Sequence, residues 1–158
     1  MSDVKPTTFE EELARSGRLV YSNHGCSMLP LIKQGRDLVV IVRPPESGRL
    51  KKYDVPLYRR GDSPKCILHR IIRVTDTGYV IRGDNTYFKE TDITDENIIG
   101  VLSCVVRKGR KVSVESFGYK LYSRVWNFIY PLRFCYVKVR SFGGRVLRKM
   151  GLRKKGST

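Results

Sequence analysis

The chain has 158 residues, of which 41% are hydrophobic and 29% charged, enough for one ordinary domain with its own core and too apolar for wholesale disorder. Its formal charge of +16 is lopsided: residues 1–104 hold sixteen Lys/Arg against fourteen Asp/Glu, and residues 105–158 hold fifteen against Glu115 alone. The basic character therefore belongs to the C-terminal third, where an anionic membrane or, less favoured, a nucleic acid is the complementary partner.

The stretch "TTFEEELARSG" predicts a short helix, with Thr8 as N-cap, Glu10 to Glu12 in the first turn and Gly17 as the stop. The polar, acidic N-terminus lacks the apolar core of a signal peptide, and no run of about eighteen apolar residues predicts a transmembrane helix. Cys26, Cys66, Cys104 and Cys135 stand singly, without a C-x-x-C pair or a His at zinc-ligand spacing, so no metal and no cofactor is expected. Isolated thiols without an export signal point to a cytoplasmic protein, peripheral at most at the inner face of the membrane.

Next come "RLVYSN", "DLVVIVR", "DVPLYRR", "KCILHRIIRV", "GYVIRGD" and "NIIGVLSCVVRKGRKVSVESF", short β-branched or aromatic runs punctuated by Gly, Pro, Asp and Asn. No helical crossover fits between them, which predicts a mainly β fold, a coiled antiparallel sheet or partly closed barrel over residues 1–118. From Tyr119 the composition changes to aromatic and aliphatic residues interspersed with Lys and Arg, a basic helical segment over 119–158. Leu121, Val125, Phe128 and Ile129 recur near helical spacing until Pro131 interrupts. Tyr119, Tyr122, Trp126, Phe128 and Tyr130 beside Lys120, Arg124 and Arg133 have the composition of a segment lying on an anionic bilayer. The alternative is a helix packed on the β body with a solvated basic face. The final "GLRKKGST" reads as a disordered basic tail.

Three residues offer chemistry. Ser27 stands in the Gly/Pro-bounded turn "NHGCSMLP", His69 among apolar strand residues in "ILHRII", and Asp84 in "RGDNTY". A serine hydroxyl needs a base to take its proton, and an imidazole needs an acceptor on its other nitrogen. Taken singly, each is equally a turn serine, a satisfied strand histidine and a hairpin aspartate.

Taken in order, "SMLP", "LIKQGRDLVVIV", "YDVPLYRRGD…KCILHRIIRV", "YVIRGDNTYF" and "ENIIGVL" resemble the sequence boxes of the signal peptidase family of serine endopeptidases, over residues 23–106. The resemblance implies an all-β, coiled-sheet catalytic fold and cleavage of a precursor or leader peptide. His69 stands where many members, and the related self-cleaving SOS repressors, carry a lysine, so the chain resembles the Ser-His branch. By that resemblance Ser27 is the nucleophile, His69 its general base and Asp84 the acid that orients the imidazole, with Glu90 and Asp92 as alternative acids. The Ser27 backbone N–H would serve as oxyanion donor, and Met28 and Pro30 would shape the turn and an adjoining groove for an extended peptide. Gly25 replaces the hydroxyl residue that assists in many relatives. Cys26 is expected as a small buried neighbour of Ser27, with a competing thiol nucleophile as the alternative, and His24 as an exposed loop residue. The polar N-terminus departs from the membrane anchor usual in the family. The competing expectation is a peptidase-like binding protein without turnover that uses its basic tail on membrane or nucleic acid.

Overall fold

A computed structural model of the chain describes residues 8–46, 49–61 and 63–149, those from 141 onward as backbone. The terminal basic stretch from 150 lies outside the described residues. Over the described residues the protein is mainly β, a curled antiparallel half-barrel sheet with three α-helices. Its contacts divide it into two units, Met1–Arg124 and Val125–Thr158.

Helix α1 (Phe9–Ser16) starts at Thr8, whose hydroxyl accepts from the Glu11 N–H while the Glu11 carboxylate accepts from the Thr8 N–H, and it stops at Gly17 in the left-handed conformation. The larger sheet runs β1 (Arg18–Ser22), β2 (Asp37–Val42), β8 (Ile98–Arg107), β3 (Pro56–Arg59) and β4 (Cys66–Leu68), with β9 (Arg110–Ser113) also paired to β8. A smaller sheet holds β5 (Arg70–Val74), β6 (Tyr79–Arg82) and β7 (Glu90–Ile93). Every pairing is antiparallel.

Alternation sets the core. In β2, Asp37, Val39 and Ile41 point inward while Leu38 and its even-numbered neighbours face out. In β8 the buried phase changes between Leu102 and Val105, because Val40 pairs Cys104 and Ile41 pairs Leu102, leaving Ser103 as the extra residue of a bulge. One apolar cluster, including Leu13, Met28, Ile32, Ile41 and Leu57, fills the curl of the larger sheet; a second, including Tyr58, Ile71, Tyr79 and Ile81, lies under the smaller one. The chain crosses between the sheets at His69, where Leu68, His69, Arg70 and Ile71 are buried in succession and alternation breaks.

Helix α2 (Phe117–Phe128) follows β9, with Tyr119 and Ser123 buried on its inward side, and α3 (Tyr130–Lys149) completes the described chain. The change of composition at Tyr119 thus falls inside α2, and the division into units comes after Arg124.

Candidate active site

Ser27 sits in the turn between β1 and β2, half-buried. Gly25 opens that turn at φ 105°, a left-handed conformation that strains any residue with a Cβ, and its N–H donates to Gln34 Oε1 at 2.9 Å. Below Ser27, Met28 is fully buried in the larger core. Its side chain therefore anchors the turn and does not line an open groove, which corrects the expectation for Met28, whereas Pro30 is exposed. Cys26 is also corrected: its thiol is exposed, and the residue is held through its carbonyl, which accepts from Leu29 N–H at 3.2 Å and Asn85 Nδ2 at 3.2 Å. His24 is exposed.

The turn after β6 clamps this loop. Asn85 N–H donates to the Ser27 carbonyl at 2.8 Å, beside the Asn85 side-chain bond to Cys26. Gly83 lies at the closest approach: a Cβ there would stand 2.7 Å from the Ser27 carbonyl oxygen and 3.0 Å from both Nε2 and Cδ2 of His69. One point at Gly83 is thus close both to the Ser27 backbone carbonyl and to the Nε2 edge of the imidazole. Only a glycine leaves room there.

His69 presents its other nitrogen to a carboxylate. Nδ1 lies 3.0 Å from Glu90 Oε1 and 3.2 Å from Tyr58 Oη, and the Tyr58 hydroxyl donates to the same Glu90 oxygen at 2.8 Å. A carboxylate only accepts, so it holds the proton on Nδ1 and leaves Nε2 with its lone pair directed away from the acid. Burial pushes the Tyr58 phenol far above its ordinary value, with Glu90 adding to the effect, so Tyr58 stays a donor. Burial also moves His69 below 6.5, against the opposing hydrogen bond from Glu90, so the ring is neutral at neutral pH. Phe88, 60% exposed, stands edge-on to the imidazole at 6.5 Å between centroids and covers it from outside.

Asp84, the expected orienting acid, is engaged elsewhere. Its oxygens accept from Nε and Nη2 of Arg70 at 2.7 and 2.8 Å, and Tyr122 Oη donates to it at 3.0 Å. Arg70 is fully buried; its Nη1 donates to the Tyr53 carbonyl, Tyr119 Oη and Ser123 Oγ at 3.0, 3.2 and 2.8 Å. Burial alone would weaken its charge, but Asp84 outweighs it and the guanidinium stays cationic. The correction has a simple cause. His69 and Arg70 are adjacent and face opposite ways, each claims one acid, and the stronger bidentate match takes Asp84. Asp92 is on the outer surface, 3.4 Å from Arg60.

The arrangement therefore brings the Ser27 backbone and the paired His69 and Glu90 together around Gly83, while Asp84 pairs with Arg70 instead. Tyr58 and Gly83 were not singled out by motif; for Gly83 the signal stood next to Asp84 in "RGDN", and for Tyr58 the sequence offered none. Among the described residues, no group of three His, Cys, Asp or Glu is placed to hold a metal ion. Comparison with known proteins gives no match: no family model, curated protein or solved structure is similar to this chain.

Proposed function

We propose that the protein is a serine endopeptidase of signal-peptidase type that cleaves a precursor or leader peptide. The observation that carries the reading is the buried Glu90–His69 pair, whose free Nε2 edge meets the Ser27 turn across Gly83. In this mechanism Ser27 Oγ attacks the scissile carbonyl carbon while its proton passes to Nε2. Glu90 holds the ring in the required tautomer and stabilises the imidazolium that forms. The Ser27 backbone N–H faces the developing oxyanion. When the tetrahedral intermediate collapses, Nε2 returns the proton to the leaving amine and an ester remains on Ser27. Water then attacks that ester, giving a proton to Nε2, and as the C–Oγ bond breaks Nε2 passes that proton to Ser27 Oγ, regenerating the serine and the neutral imidazole and releasing a free carboxyl product.

The test is purified protein incubated with candidate precursors and a fluorophosphonate probe, followed by mass spectrometry. The expected results are one new peptide terminus and one labelled residue, Ser27, both lost in Ser27→Ala and both retained in Cys26→Ala. Labelling of Cys26 by thiol reagents with loss of cleavage in Cys26→Ala would move the nucleophile. Absence of any Ser27-dependent cleavage or labelling would favour the binding protein without turnover.

A further inference from the structure

Soluble proteins rarely gather exposed large apolar side chains in one place. Among the described residues, eight of the twelve large hydrophobics that are exposed fall between Phe117 and Val139, so this apolar exposure is concentrated in α2 and α3, with only three such residues on the strands. Within the second unit, Phe128 is 84% exposed and is followed by Leu132, Tyr136 and Val139 at 72, 64 and 71%. The last three recur at intervals of four and three residues, which puts them on one stripe of α3.

The charges beside that stripe have one sign. Residues 116–158 contain eleven Lys/Arg and no Asp or Glu. Several basic heads lie over aromatic rings: Arg133 is 3.7 Å from the Trp126 centroid and Lys138 is 4.5 Å from that of Phe134. Side chains held this way place their stems along apolar surface and their charge at its border. No helix among the described residues is long and apolar enough to cross a membrane. An exposed apolar stripe in a segment whose charges are all positive, and too low in hydropathy to span, matches a surface with an anionic outer layer over hydrocarbon.

We propose that α3, with the end of α2, docks in the plane of an anionic lipid surface, inserting Phe128, Leu132, Tyr136 and Val139 and setting Arg133 and Lys138 among the headgroups. The proposal goes beyond the peptidase reading and stands without it. A nucleic acid would use the same cations and could stack on Phe128 and Tyr136, but it offers no hydrocarbon layer for Leu132 and Val139, the aliphatic half of the stripe.

The full-length protein provides the test, with vesicles of phosphatidylcholine alone and of phosphatidylcholine with phosphatidylglycerol. Expected are co-sedimentation with the anionic vesicles at least about tenfold above the zwitterionic ones and a blue shift of Trp126 emission on binding, which is readable because Trp126 is the chain's single tryptophan. The double substitution Phe128→Ser with Leu132→Ser should weaken partition about tenfold or more through lost insertion, with circular dichroism and melting temperature unchanged. Failure to bind anionic vesicles would overturn the proposal. So would binding that the double substitution leaves intact, which would be bare charge attraction, and so would RNA that competes fully with vesicles at equal charge.

Discussion

Glu90 Oε1 lies 3.0 Å from His69 Nδ1, while Asp84, fifteen residues after the histidine, is gripped in a bidentate pair by the neighbouring Arg70. Two acids of similar chemistry thus have opposite consequences when neutralised. Glu90→Gln removes the negative charge and turns one acceptor oxygen into an NH2 donor, so the tautomer is no longer fixed, and peptidase turnover, on the proposed function, should fall about 10²- to 10⁴-fold with the protein still folded. Asp84→Asn leaves a buried guanidinium short of its counter-charge and should cost about 3–5 kcal/mol of stability. Turnover numbers and denaturant melts on the two variants distinguish the roles; full activity in Glu90→Gln would remove Glu90 from the mechanism.

The position of His69 below 6.5 fixes the sign of the pH dependence. The neutral ring is the competent base, so activity should climb with pH through a value under 6.5 and level off above it. Phe88 contributes to the burial that causes the shift, and Phe88→Ala should move this acid limb towards higher pH by admitting water. Stability follows the same proton. Below 6.5 the unfolded chain binds a proton at this residue that the folded chain does not, so stability should fall as the pH drops from there until the folded histidine itself protonates. A pH series of melts on wild type and His69→Gln reads that difference, and coincident curves would contradict it.

Gly83 is the test of the spatial join between the Ser27 turn and the imidazole. A methyl group there meets the Ser27 carbonyl at 2.7 Å and the ring at 3.0 Å, so one of them must retreat. Gly83→Ala should lower kcat about 100-fold or more, since displacement of about 1 Å at a reacting group costs that much. Asn85→Ala, which removes only the side-chain bond to the Cys26 carbonyl, should cost about 1 kcal/mol at most.

Arg70 joins the site to α2. Arg70→Lys loses the planar fork that satisfies Asp84 while keeping the charge, and should destabilise by about 3 kcal/mol. Tyr122→Phe deletes one hydrogen bond to Asp84 and should cost about 1 kcal/mol. Amide hydrogen exchange should show the protection of Tyr119 to Ser123 falling in both variants, more in the first. If α2 kept its protection in Arg70→Lys, the network would not be what holds it.

The mainly β, antiparallel character was legible because each strand is a short β-branched run with turn residues at both ends. That the Ser27 turn, His69 and the "GDN" turn lie near one another was not legible from the residues themselves, only expected from the resemblance of the ordered boxes. The acid was not, because the choice between Asp84 and Glu90 is made by long-range geometry: β6 and β7 are in register with Ile81 opposite Glu90, and Arg70 competes for Asp84 from the next strand position. The inversion at the turn, with Met28 buried and Cys26 exposed, also escaped, since residues next to a tight turn follow no two-residue period. Tyr58 lies in an ordinary strand run, and only the curl of the larger sheet brings its hydroxyl to Glu90.

The bonds of Arg70 also decide where this protein can be cut. A fragment ending at Gly118, where the aromatic composition begins, would keep Ser27, His69 and Glu90 yet remove Tyr119 and Ser123, leaving Nη1 only the Tyr53 carbonyl of its three partners, and it would take from Asp84 the Tyr122 hydroxyl. Such a fragment would keep the Arg70–Asp84 pair but strip it of three of the hydroxyl groups that complete it inside the protein. The smallest autonomous body therefore reaches to Arg124, and the first two turns of α2 belong with the sheets, whatever surface the remainder of the helix serves.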